Sequence, residues 1–184
     1  GMLSSLFILF LSKRRNFSGE SLILSGLSLS FFFQALTTLL QYFSNDATLA
    51  SAVYWTFGDL SRASLKDCLI MAVVVFSSFL FLYSKRWSLN GLSLGEIQGR
   101  SLGLNTKRLR FLFLLTASLI TGVCLSYLGI IGFVGLIAPH IGRKIFTSDH
   151  KYLLPGTFLL GQILLLFSDN IARLLFFGLS LPVG

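Results

Sequence analysis

Charge is scarce in this sequence: 12% of its 184 residues are Asp, Glu, Lys or Arg, about half the roughly 25% of a soluble globular domain. Acidic residues are the scarcer kind, 7 against 15 Lys and Arg. Cysteine is limited to Cys68 and Cys124, each inside an apolar run without metal-ligand spacing. That argues against a disulfide framework or a zinc site and for plain packing roles. Histidine is limited to His140 and His150, a pair that makes no metal site, so no metal ligand is expected. No GxxxxGKS/T stretch occurs, which excludes ATP hydrolysis through a P-loop of this chain. A His-Glu-x-x-His pair, a Ser/His/Asp set and paired intramembrane carboxylates are missing too, and with them the usual signatures of an enzyme.

A net charge of +8 would suit nucleic acid only if Lys and Arg lined a solvated face. Here they stand in short clusters between apolar runs, as in membrane loops, so nucleic acid is not an expected partner. The chain is rich in hydrocarbon instead: 54% hydrophobic residues, 19 Phe and a mean hydropathy of +0.80. One water-facing core of this size could hardly bury them. Lipid is therefore the expected solvent, and the fold class is all-α, a polytopic transmembrane helical bundle forming one domain.

A crossing needs about 20 apolar residues. The apolar runs place membrane helices at 21–45, 68–84, 111–130 and 153–177, and the end of another at 2–12. The last of these is no signal peptide, because the basic cluster Lys13, Arg14 and Arg15 follows the apolar stretch and does not precede it.

The loops sort by charge. One basic cluster is Lys13 to Arg15, a second is Lys85, Arg86, Arg100, Lys107, Arg108 and Arg110, and a third is Arg143, Lys144 and Lys151. Residues 46–67 instead balance Arg62 and Lys66 against Asp46, Asp59 and Asp67. The positive-inside rule puts the basic clusters in the cytoplasm and 46–67 outside. Residues 111–142 must then begin and end on the same side, yet as one helix they would reach only about 48 Å, too short for two full crossings. The expected solution is a full helix at 111–130, a break near Gly129, Gly132 and Gly135, and a short returning half-helix at 133–142. A half-helix is tolerated at membrane depth only within protein or along a wet cavity, which points to a transporter or channel.

Residues 47–57, ATLASAVYWTF, carry adjacent Tyr54 and Trp55 and suggest a short helix on the outer surface, with an aromatic-belt loop as the alternative. Gln34, Thr37, Thr38 and Gln41 fall at near-helical spacing and make either one wet face or a small-residue packing face. Residues 90–110, NGLSLGEIQGRSLGLNTKRLR, mix Gly95, Gly99 and Gly103 with Leu92, Leu94, Ile97, Leu102 and Leu104. Two short amphipathic helices are expected there, with Glu96, Arg100 and Lys107 solvated. Such helices either dock a partner subunit or rest on lipid headgroups.

The stretch LSLGEIQGRSLGL at 92–104 resembles the cytoplasmic coupling region of the FecCD/BtuC-like permeases, with which bacteria import iron–siderophore complexes, haem and vitamin B12. IGFVGLIAPHIGRKIFTSDHKYLLPG at 131–156 resembles that family's most recognisable segment. SDNIAR at 168–173, followed by Leu181, Pro182, Val183 and Gly184, resembles its next helix and turn. Upstream, LILSGLSLSFFFQALTTLL and YWTFGDLSRAS fit the same pattern in the same order.

The resemblance implies a type II ABC importer permease of about ten helices, of which this chain would supply the middle and later ones and lack the first few and the last. It implies a non-enzymatic, multi-pass subunit of the bacterial cytoplasmic membrane, surrounded by lipid and paired with a second copy or close homologue. Two cytoplasmic ATPase subunits would carry the ATP and Mg, an external substrate-binding protein would deliver cargo, and this chain would bind no cofactor. Leu94, Gly95, Glu96, Arg100, Leu102 and Gly103 would contact the ATPase. Arg173 would meet acidic residues of the binding protein, its competing role being a local pair with Asp169. Gln34, Thr37, Thr38, Gln41, Tyr54 and Trp55 would lie beside the pathway. Pro139 would kink the half-helix and His140 would hydrogen-bond a neighbouring backbone. The expected function is ATP-driven import of an iron chelate by alternating access. Haem and cobalamin are rival cargoes, and a structural or assembly membrane protein is the reading from another class.

Overall fold

The computed structural model of the chain describes residues 19–175, and every regular element among them is helical. In chain order these are α1 (Gly19–Tyr42), α2 (Asp46–Thr56), a 3-10 turn (Leu60–Arg62), α3 (Leu65–Ser84), α4 (Arg86–Ser93), α5 (Glu96–Ser101), α6 (Thr106–Leu128), α7 (Val134–Ile145) and α8 (His150–Leu175). The expected segment 2–12, the cluster Lys13 to Arg15, the last residues of the 153–177 span and the Leu181 to Gly184 match lie outside the described residues.

Among the described residues, four helices are long and apolar enough to cross a bilayer: Ile23–Tyr42, Leu65–Ser84, Thr106–Leu128 and His150–Leu174. Their ends are set by capping as much as by hydropathy. Ser64 and Asp67 form a reciprocal capping box, Ser64 N donating to Asp67 Oδ2 at 3.0 Å and Asp67 N to Ser64 Oγ at 3.3 Å. This starts α3 at Leu65, ahead of the uncharged run, by satisfying backbone donors that the first turn leaves without partners. At the other boundary, α6 begins at Thr106 and takes Lys107, Arg108 and Arg110 into its opening turns. Cations oppose the helix dipole there, but their long stems allow the charges to reach a headgroup layer.

The described residues divide into two compact units: those up to Tyr54 with Lys107–Gly122, and Trp55–Thr106 with those from Val123 onward. In the first, α1 is largely exposed from Ile23 onward, with Ile23, Phe31 and Leu40 all turned outward. The hydroxyls of Thr37 and Thr38 are satisfied within the helix, Thr37 Oγ1 donating to Phe33 O at 2.8 Å and Thr38 Oγ1 to Gln34 O at 3.0 Å. Polar side chains that serve their own backbone are tolerable in hydrocarbon, where an unsatisfied group costs several kcal/mol. Asn45 opens α2 by accepting from Thr48 N at 2.9 Å.

In the second unit α7 packs along α8, and the contact is built from small residues. Ala138 and Leu153 are the buried apolar side chains among the described residues. A Cβ on Gly142 would stand 2.6 Å from Thr157 Cγ2, a Cβ on Gly156 would strike the Phe146 ring, and Gly161 faces Val134 and Ala138. Missing side chains let the helix backbones approach closely, as membrane helices require when no hydrophobic effect drives them together. α3 joins α8 through Phe79 and Phe158, whose ring centroids are 5.2 Å apart.

The break between α6 and α7 differs from the expected three-glycine hinge. Gly129 takes φ 77° and the non-glycine Phe133 takes φ 62°, while Gly132 and Gly135 have ordinary φ and open space within 4 Å of where a Cβ would stand. Gly135 belongs to α7 itself. The hinge sits against the α2–α3 connection: Asp59 N donates to Leu128 O at 2.9 Å, and Gly58 is buried against Ile130. α7 runs on to Ile145, so Arg143 and Lys144 fill its last turn, where positive charge suits the dipole. Pro139 lies inside α7 and deprives the Gly135 carbonyl of its helical donor. His140 is exposed and makes no side-chain hydrogen bond among the described residues, so the expected backbone bond is not formed.

Candidate functional site

Only Lys85 separates α3 from α4; it is the C-cap of one and the N-cap of the other, without a side-chain cap bond. After α4 the chain reverses twice, at Gly95 with φ 109° and at Gly103 with φ 77°. Both angles lie in the region that side chains rarely adopt, which is why glycine stands at these two turns. Between them is the short helix α5, closed onto α4 by two further glycines used for space. Gly91 is buried against Leu104, and a Cβ on Gly99 would stand 3.0 Å from Thr106 Cγ2 and 3.3 Å from Gly91 O.

Glu96 and Arg100 pair one turn apart on α5, and Arg100 Nε reaches Thr106 Oγ1 at 3.5 Å. Three apolar residues of this stretch are left largely exposed: Leu94 is 61% exposed, Ile97 83% and Leu102 62%. Beside them lies a groove of about 460 Å³ lined by Trp87, Leu94, Leu102, Leu104 and Asp149 among others. Leu94, Gly95, Glu96, Arg100, Leu102 and Gly103 are thus brought together on one glycine-hinged pair of short helices.

The anchor of this pair is a long-range contact that no motif announces. Asn90 of α4 donates from Nδ2 to Asp149 Oδ1 at 2.8 Å, and its Oδ1 accepts from His150 N at 2.9 Å and lies 2.6 Å from His150 Nδ1. Asp149 Oδ1 also accepts from Lys151 N at 2.9 Å. Asp149 and Asn90 therefore share the capping of α8, each taking a backbone donor of its first turn, an arrangement worth roughly 1 kcal/mol per cap. The bond from the Lys151 backbone, and next the Asn90 amide, hold the Asp149 carboxyl below its usual range. The signal in the sequence was an Asp just before a helix; its partner stands about sixty residues earlier, beyond any local pattern.

Arg173 lies near the far end of α8, about 35 Å along the helix from His150. Its Nε donates to Asp169 Oδ2 at 2.8 Å while the side chain stays half-exposed. Tyr54 and Trp55 are exposed near the end of α2; Gln34, Thr37 and Thr38 are exposed on α1, and Gln41 is half-exposed. Three or more His, Cys, Asp or Glu do not gather into a metal-holding group among the described residues.

Comparison with known proteins decides what kind of scaffold this is. The whole sequence, residues 1–184, matches the FecCD transport family. The chain belongs to that family. A protein of Methanocaldococcus jannaschii assigned as an ABC transporter permease is 48% identical over 177 residues, 96% of this chain and 51% of its own length. A Helicobacter pylori protein assigned as an iron chelatin transport system permease is 37% identical over 183 residues, and the vitamin B12 import system permease protein BtuC of Pectobacterium atrosepticum is 35% identical over 184. The match covers 100% of this chain in both cases, and 56% and 55% of those proteins. A solved structure assigned to a metal-chelate type ABC transporter in an inward-facing conformation superposes with a TM-score of 0.89 at 35% identity, over 97% of this chain and 57% of that one. This FecCD family chain is thus an all-helical, multi-pass membrane protein that spans about half the length of the relatives it matches.

Proposed function

We infer that this FecCD family chain is part of the membrane-spanning permease subunit of an ATP-binding-cassette importer that moves an iron chelate inward by alternating access. The carrying observation is the α4–α5 pair, which turns Leu94, Ile97 and Leu102 outward from a scaffold closed by Gly91 and Gly99. A rigid pair with an apolar tip is suited to docking a cytoplasmic ATPase. A helix resting on headgroups gains its affinity from a long apolar stripe, which the six residues of α5 do not supply. ATP and Mg would be held by that partner, and this chain would bind no cofactor. Arg173, half-exposed at the other end of α8, would meet an external binding protein, and a second permease subunit would cover apolar faces that α1 leaves open.

An enzymatic role has little to work with, because the hydroxyls of Ser30, Thr37, Thr38, Thr116 and Ser118 are spent on carbonyls of their own helices. Cobalamin is the second cargo reading, favoured by the vitamin B12 permease relatives at nearly the same identity as the iron chelatin one. Uptake of labelled ferric chelate, haem and cobalamin by cells with and without the full-length gene, its product in the bacterial cytoplasmic membrane, separates them. The reading expects gene-dependent accumulation of ferric chelate. Gene-dependent uptake of cobalamin or haem alone would replace that cargo, and none for all three would favour a structural or assembly role.

A further inference from the structure

Asn90 serves two helices with one side chain. Its amide oxygen takes the first backbone donor of α8 at His150, and its amide nitrogen holds the carboxylate of Asp149 that takes another. Next to it, Gly91 is buried against Leu104, so α4 is held from the α5 side as well. The covalent link from α4 back to α3 is Lys85 alone, and the side-chain bond across it is a local one, Arg86 Nη1 donating to Tyr83 O at 3.2 Å. A push on the short helices could therefore be absorbed by rotation at Lys85 unless something ties α4 elsewhere. From α8 the packing continues into α7 through Leu153, Ala138 and the close approach of Gly142 to Thr157.

We propose that Asn90 is a positioning residue for transport, clamping the short-helix pair to the start of α8 so that displacement of α4 and α5 is delivered to α8 and the half-helix α7. This rests on the permease reading above. Asn90 touches neither cargo nor nucleotide in this role; it acts by fixing which helix moves with the docking surface.

The test uses the full-length permease assembled with its ATPase in proteoliposomes and reads labelled ferric chelate moved per ATP hydrolysed. Asn90→Asp sets a second carboxylate against Asp149 and should lower that ratio roughly fivefold or more while ATPase binding persists. The double variant Asn90→Asp with Asp149→Asn exchanges the two groups, rebuilds an amide-to-carboxylate bond between the same positions, and should restore it. A cap of purely local value predicts less assembled complex with an unchanged ratio in what assembles, and that result overturns the proposal. A double variant no better than Asn90→Asp overturns it too. If Asn90→Asp does not assemble, Asn90→Ser removes the bridge without adding charge, and its ratio decides between the same two results. A wild-type complex that moves no chelate overturns the cargo reading, and one that moves neither chelate, haem nor cobalamin overturns the permease reading itself, failures visible before any variant is compared.

Discussion

Gly129 lies so close to the Trp55 carbonyl that a Cβ would stand 2.8 Å from that oxygen, at a φ of 77°. The neighbour is backbone and cannot swing aside. Gly129→Ala should therefore lose about 2 kcal/mol or more, adding left-handed strain to overpacking. Gly132→Ala, three residues on, meets open space at an ordinary φ and should stay within about 0.5 kcal/mol of wild type. Thermal unfolding of the full-length protein in detergent compares the two; equal midpoints would remove the close approach.

At the α7–α8 contact the obstructing atom is a methyl, which makes rescue possible. Gly142→Ala should cost about 1–3 kcal/mol because its Cβ meets Thr157 Cγ2. Thr157→Ser deletes that methyl but keeps the hydroxyl that donates to Leu153 O at 2.7 Å. Paired with Gly142→Ala it should recover most of the loss, a non-additivity expected only of groups in contact. Unfolding midpoints of the two single variants and the double close the cycle, and strict additivity would contradict the packing described.

The all-helical membrane fold is legible in the sequence because uncharged runs of crossing length, as in α3 and α8, have few other uses. Helix ends are less so: Ser64 and Asp149 set them by capping, a polar signal that hydropathy ignores. The hinge before α7 is legible as glycine-rich, yet the second left-handed residue is Phe133, a type that gives no warning of such a φ. Glycines within helices look like weak helix formers in sequence, whereas Gly142 and Gly156 are places where another helix needs the space. The Asn90 bridge is illegible for a simpler reason. Two polar residues sixty positions apart leave no period.

Arg173 tests the proposed docking of an external binding protein. A rim charge steers association, so Arg173→Glu should weaken binding of the external substrate-binding protein at low salt, and the loss should shrink as salt rises. The Asp169 pair is a competing use of the same guanidinium, worth only a few tenths of a kcal/mol when exposed. Asp169→Asn removes that pair while leaving Arg173 charged, and should keep the affinity. Titration of the binding protein onto the full-length permease at two ionic strengths reads both; unchanged affinity for Arg173→Glu at low salt would leave Arg173 with the helix-internal pair alone.

The central claim is that the hinged stretch from Leu94 to Gly103 carries force between an ATPase and this bundle. Gly103 combines a φ of 77° with open space around its side-chain position, so a substitution there changes the turn without colliding with the rest of the chain. The most direct measurement is ATPase stimulation by cargo-loaded binding protein in proteoliposomes holding the assembled full-length complex, with Gly103→Glu set beside Gly103→Asn. Asn tolerates the left-handed region several times more readily than most residues and should retain most of the stimulation. Gly103→Glu should lose stimulation and transport together while still binding the external protein. Full stimulation by an assembled Gly103→Glu complex would contradict the account.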